Sequence, residues 1–177
     1  GPLRYQAVLT LARSSDGVIV TNRGDEHRLA SEKTVASLRH IPIGSNIKPE
    51  LAPDYNRSVW RAALGFQPDD IVVGHFGFLN ASKGIDTLLQ ALRITRNNNL
   101  PVKLLMIGGR TGTSDPANIV YAREVDAMVD DLNLHDHIRW TGFVDSAAVS
   151  GHLSACDIVA LPFRDGVSFR RGSLMAA

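Results

Sequence analysis

Short apolar runs alternate along the chain with longer stretches of helical period, the pattern of a repeating βα unit that builds a parallel sheet covered on both faces. Four runs stand out: DIVVGHFG at 70–77, VKLLMIGG at 102–109, HIRWTGF at 137–143 and DIVALPF at 157–163. Each has the length of a strand and runs out in Gly or Pro. Between the first two, Ile85, Leu88, Leu89 and Leu92 recur at i, i+3, i+4 and i+7, which predicts a helix with one apolar stripe beginning after Ser82 and stopped by Asn97–Pro101. Val125, Met128, Val129 and Leu132 repeat that spacing before the third run, behind a Gly/Thr/Ser/Asp/Pro loop from 108 to 116. A shorter helix from Asp145 to about Leu153 precedes the fourth. The first 48 residues carry an abbreviated version: a strand at Gly17–Thr21, a polar helix from about Asp25 to Ser37, and a strand at Leu38–Ile43. The pattern then breaks. Pro49, Pro53, Gly65 and Pro68 punctuate the stretch from Gly44 to Asp70, with one amphipathic piece at Ser58–Leu64, so it reads as a connection between two units.

Composition narrows the function classes. Of 177 residues, 44% are hydrophobic and 21% charged, an ordinary globular balance. Nineteen Lys and Arg against eighteen Asp and Glu give a formal charge of +1. With no dense basic run, that argues against nucleic acid or an anionic membrane surface as a partner. The single cysteine, Cys156, excludes an internal disulfide and a Cys-built zinc site. No apolar run approaches the ~20 residues of a spanning helix, and no secretory leader pattern is visible. The chain opens on Gly1 and closes on the helix-forming run Leu174–Ala177 without a capping Gly or Pro, and it reads as an excerpt of something longer.

In an open parallel sheet ligands sit beyond the carboxyl ends of the strands, where helix amino ends offer amides and partial positive charge. After the first run, GFLNASKG at 77–84 sets a small-residue turn, a Ser82 cap and Lys83 at a helix start. Lys83 either meets a phosphate there or is solvated beside glycines that permit the turn. After the fourth run, PFRDGVSFRRGS at 162–173 gathers one carboxylate, two hydroxyls, three arginines and two glycines. It reads as a ligand loop or as a charged turn built on Asp165 and Gly166. No Walker motif and no G-x-G-x-x-G follows a strand, which removes the main support for ATPase and nicotinamide-enzyme readings. His135 and His137 flank Asp136 without a third ligand and read as a surface turn. Cys156, His75, Trp60 and Trp140 read as packing residues.

Taken together, FGFLNASKGIDTLLQAL at 76–92, LLMIGG at 104–109, IRWTGF at 138–143 and CDIVALP at 156–162 resemble the C-terminal half of group 1 glycosyltransferases. Upstream, SDGVIVTN at 15–22 and HIPIGSN at 40–46 resemble the closing strands of that family's N-terminal half. The match runs through nearly the whole chain in order. It implies an incomplete GT-B architecture of Rossmann-like, doubly wound α/β domains. Residues 1–48 would close the N-terminal, acceptor-side domain, 49–69 connect, and 70–177 form a truncated nucleotide-sugar-binding domain.

The resemblance implies transfer of a sugar from a nucleotide-sugar, with retention and without a metal or other cofactor. The acceptor would be a carbohydrate or a lipid-linked one. The protein would be cytoplasmic, in polysaccharide or glycolipid biosynthesis, with peripheral membrane association through the part of the N-terminal domain outside this sequence. It makes Lys83 a donor diphosphate ligand, assigns the amides of Gly166, Val167 and Ser168 to the phosphates, and adds donor contacts at Gly77, Gly109 and Val144. The family's paired-glutamate motif falls on Asp165, the catalytic candidate, and on Ser173. Here the sequence departs from the pattern: Ser173 replaces a carboxylate, and Phe78 stands where a basic residue is usual. Arg170 or Arg171 is expected to supply the missing phosphate charge. The alternatives are a non-catalytic nucleotide-sugar-binding module and a nucleotide-sugar epimerase or a phosphorylase of the same architecture.

Overall fold

The computed structural model describes residues 2–32, 37–111 and 116–177. The end of the expected helix at 25–37 and the centre of the 108–116 loop therefore lie partly outside the described residues. The chain divides into two compact units, residues 1–44 with 168–172 and residues 45–167 with 173–177.

In the first unit, α1 (Pro2–Arg13) and α2 (Arg23–Ala30) accompany the parallel strands β1 (Val18–Val20) and β2 (Leu38–His40). Asn22 caps α2, its side chain accepting from the Asp25 amide at 2.9 Å. Leu9, Val20 and Leu29 form a small core, and Tyr5 and Arg13 of α1 both reach Glu32 at 3.1 Å. The pattern of apolar positions does not single out α1, because its buried face is no more than Leu9 and Ala12.

The second unit holds four parallel strands in the order β5-β4-β3-β6: β3 (Ile71–Phe76), β4 (Val102–Ile107), β5 (Ile138–Trp140) and β6 (Ile158–Val159). Strand alternation sorts the core into two. Leu104 and Met106 of β4 join Ile85, Leu88, Leu89 and Leu92 of α4 (Ile85–Asn97) and Val125 and Val129 of α5 (Pro116–Asp131). Their neighbours Leu105 and Ile107 face the other way, to Phe66, Val72 and Val149. All four β4 residues are at most 2% exposed, so both faces of the sheet are sealed, as a parallel sheet requires. The second face is covered by α3 (Arg57–Ala63) and α6 (Ser146–Ala155), which lock through Trp60: its indole Nε1 donates to His152 Nδ1 at 2.9 Å, and a Cβ on Gly151 would overlap its ring.

Two strands are shorter than their apolar runs. The β5 run is cut at Gly142, which turns with φ +69° and bridges to Gly108. In the β6 run only Ile158 and Val159 enter the ladder with β3; the Asp157 amide donates to Val72 O at 2.8 Å just before it, and Pro162 has no amide to continue it. The Asp157 carboxylate closes the amino end of the sheet. It accepts from the Val72 amide at 2.7 Å, from Arg61 at 3.1 Å and from Arg57 at 2.5 Å. Arg61, 8% exposed, also donates to the Asp70 carbonyl. Burial alone would raise the Asp157 pKa, but the Val72 amide and the two guanidiniums hold it below the usual carboxylate range. Among the described residues no helix is long and apolar enough to cross a membrane. α7 (Gly172–Ala176) ends the chain.

Candidate functional site

The strand order places a topological switch between β3 and β6: the chain winds outward from β3 through β4 to β5, then returns to the other side of β3. At such a point the crossover connections leave on opposite faces and a crevice opens beyond the carboxyl ends. The two loops singled out in the sequence, 77–84 and 162–173, are the ones that follow these two strands.

The β3 loop begins at Gly77, whose φ of +132° suits glycine. Leu79 turns back into the core, 1% exposed, and the Asn80 side chain accepts from the Ser82 amide at 2.8 Å. A short 3-10 turn at Ala81–Lys83 ends on Gly84, φ +69°, which starts α4. A Cβ on Gly84 would collide with the Pro162 carbonyl, so only glycine lets the start of α4 sit against the β6 loop. Lys83 then points along the strand ends. Its Nζ donates to Ser173 Oγ at 3.0 Å, lies 5.1 Å from the Phe163 ring centroid, and is 3.3 Å from where a Cβ on Gly77 would be. Ser173 is 6% exposed.

The β6 loop is tied to β3 beyond the ladder. The Ala160 amide donates to Gly74 O at 2.8 Å, and His75 Nδ1 lies 3.0 Å from Ala160 O. A carbonyl only accepts, so Nδ1 carries the proton and the ring is neutral through Nε2. Burial, with the Lys83 charge acting the same way against the Ala160 hydrogen bond, pushes the His75 pKa down to about 4. Its Nε2 is buried without a partner among the described residues. Further along, the Arg164 amide donates to Ser82 O at 3.0 Å and its guanidinium pairs with Asp86 in the first turn of α4. Asp165, Gly166 (φ +87°) and Val167 follow, all exposed.

Of the residues expected at a donor site, Gly77, Lys83 and Ser173 come together, with Asp165, Gly166 and Val167 on the loop beside them. Gly109 lies against Phe78, whose ring comes within 3.1 Å of a Cβ placed there, and Phe78 is 43% exposed. Val144 packs at the margin of the Phe66 and Val72 core. Ser168, Arg170 and Arg171 group with the first unit. There Arg170 pairs with Asp25, and the Arg171 amide donates to Ser168 O at 3.0 Å. Among residues read as packing, Cys156 is a partly buried thiol pushed up to about 12 by desolvation, and Trp140 carries Arg110 over its ring at 4.4 Å. His135 pairs with Asp130 at 2.6 Å on the surface. Phe163, Arg164 and Asp86 carry no sequence signal of their own. Their roles depend on partners far away in the chain.

The sequence model of the family described as glycosyl transferases group 1 matches residues 56–167. The chain is similar to a D-inositol 3-phosphate glycosyltransferase of Rhodococcus erythropolis, 40% identical over 100 residues that cover 54% of this chain and 22% of that protein. It is 27% identical to the GDP-mannose-dependent alpha-(1-6)-phosphatidylinositol monomannoside mannosyltransferase of Mycolicibacterium smegmatis, over 92% of this chain and 40% of the relative. The fold is shared with Anabaena HepE, solved in complex with UDP and glucose: the TM-score is 0.70 at 23% identity, covering 90% of this chain and 41% of that one. The chain thus spans well under half the length of each of these three proteins.

Proposed function

This chain belongs to the group 1 glycosyltransferases, and from that premise we propose that it forms the donor side of an enzyme moving a sugar from a nucleoside diphosphate sugar to an acceptor hydroxyl. The observation that carries the reading is Lys83, held by Ser173 and by the turn at Gly77 at the mouth of the β3/β6 crevice. When the bond between the anomeric carbon and the phosphate oxygen breaks, the leaving diphosphate gains negative charge. An ammonium already positioned there, with the loop amides of Gly166 and Val167, stabilises that charge more in the transition state than in the ground state. Asp165 orients the transferring sugar through its hydroxyls. Transfer proceeds with retention and without a metal, the cation supplying the charge a metal would otherwise bring.

The names of the relatives support GDP- and UDP-sugars as donors and a polyol phosphate or a lipid-linked glycan as acceptor. A lipid-linked acceptor brings the enzyme to a membrane surface from the cytoplasmic side. A second reading, a binding module without turnover, is favoured by Ser173 standing where the family pattern has a carboxylate, since one hydroxyl offers a ribose a weaker hold than two carboxylate oxygens. Titrating the full-length protein with UDP- and GDP-sugars, with and without EDTA, separates the readings. Binding with slow donor hydrolysis that survives EDTA supports the retaining, metal-independent transferase once the anomeric configuration of the product matches the donor. Binding without turnover supports the module, and isomerised sugar an epimerase.

A further inference from the structure

β6 contributes two residues to the ladder, so strand pairing ends well before Asp165. Beyond Ala160 the carboxylate loop is fastened to the 3-10 turn at Ala81–Lys83 and to the start of α4. Pro162 abuts Gly84, the Arg164 amide donates to Ser82 O at 3.0 Å, and the Arg164 guanidinium reaches across to the Asp86 carboxylate. Asp86 is a rigid anchor. It lies in the first turn of a helix whose flanking Ile85 and Leu89 are fully buried, and its other oxygen accepts from the Tyr121 hydroxyl at 3.3 Å.

We propose that Arg164 is a positioning residue: through Asp86 it fixes the 162–167 loop on the start of α4, setting where the Asp165 carboxylate and the Gly166 and Val167 amides stand relative to Lys83. This rests on the transferase reading above for its catalytic consequence. Charge supports the same pairing. A carboxylate in the first turn of α4 would subtract from the positive potential at the helix start where a diphosphate is to bind, and the guanidinium on Asp86 cancels it.

Magnitudes separate this role from a structural one. The side chains of Arg164 and Asp86 are 52% and 27% exposed, and an ion pair in such a setting adds little to global stability. Misplacing a reacting group by about 1 Å, in contrast, costs up to about a hundredfold in rate. The pair should therefore matter far more to turnover than to folding.

The test uses the full-length protein with Arg164→Ala, Arg164→Lys and Asp86→Asn. It reads kcat and donor KM, the unfolding midpoint, and amide hydrogen exchange of segment 162–167. Arg164→Ala should lower kcat about tenfold or more, move the midpoint by no more than a few degrees, and speed exchange in 162–167 while leaving β4 protected. Asp86→Asn should reproduce the exchange change, and Arg164→Lys should recover most of kcat. The proposal is overturned if exchange and kcat stay at wild-type values, or if kcat falls only in step with the folded fraction. Should the wild-type protein neither bind nor turn over any nucleotide sugar, the transferase reading is what fails, and the exchange data alone decide whether the pair holds the loop.

Discussion

The two ends of the second unit's sheet solve opposite problems. At the amino end, Asp157 is saturated by the Val72 amide and by Arg57 and Arg61, and α3 is riveted to the start of β6. At the carboxyl end, the chain turns through glycines at φ +132°, +69° and +87°, and the Lys83 ammonium rests on a hydroxyl and an aromatic face. The first arrangement satisfies charge with charge and is built to hold. The second sets a cation among turns and small residues, at the position the proposed reading gives to the donor diphosphate. On the proposed reading, stability and ligand chemistry fall to opposite ends of the same four strands.

The sharpest break in this contrast comes from Lys83→Ala in the full-length protein. We expect transfer to fall about 10²–10³-fold, the usual loss for one preorganised charge-stabilising donor, with little change in unfolding midpoint. Unaltered steady-state rates would remove the ligand role from the carboxyl end. Asp157→Ala should do the reverse. It strands the buried Arg61 and the Val72 amide and should cost about 2–3 kcal/mol in denaturant unfolding, with donor affinity per folded molecule kept. A matching loss of affinity would show that the two ends are not separable.

Within the carboxyl end, Gly84→Ala and Gly166→Ala compare two residues of similar positive φ. Both meet the left-handed penalty of about 1 kcal/mol. Gly84→Ala should lose about 1–2 kcal/mol more because its Cβ meets the Pro162 carbonyl, whereas nothing lies within 4 Å of a Cβ at Gly166. Equal melting curves for the two would argue against the close approach of α4 to the β6 loop. The smallest effect is in the pH profile. His75 has its folded pKa pushed down to about 4 from 6.5, so the unfolded chain binds the extra proton between those values. Its contribution is complete above about pH 6.5 and is lost as pH falls toward 4, at no more than about 1.4 kcal/mol per pH unit. His152 and His137, also lowered by burial, add in the same sense. His75→Phe should flatten that part of the stability curve, which urea titrations at pH 7, 6 and 5 will show.

What the sequence made legible was the local periodicity. The Ile85–Leu92 stripe became the buried face of α4, and the four apolar runs became the four strands of the second unit. Asp145 caps α6 by accepting from the Ala148 amide at 2.8 Å. The ladders are shorter than the apolar runs, because an apolar run records burial while a ladder also needs a neighbour. Val159 has one in Gly74, and Pro162 offers no donor to continue. The loop cation and the carboxylate loop were legible as residue types at strand ends. Their assembly was not: Lys83 and Ser173 are 90 positions apart, His75 and Ala160 85, and Arg164 and Asp86 78. No spacing rule reaches that far, so pairings of this kind become visible only once the strands are set in order.

The grouping of residues 168–172 with residues 1–44 has a consequence for biosynthesis. The first unit is made first but cannot be finished then, because the segment bearing Arg170, the partner of Asp25, leaves the ribosome only after residues 45–167. At translation speeds of ~5–20 residues per second, that leaves the nascent amino-terminal unit waiting for roughly 6–25 s. During that interval the Asp25 carboxylate lacks its guanidinium.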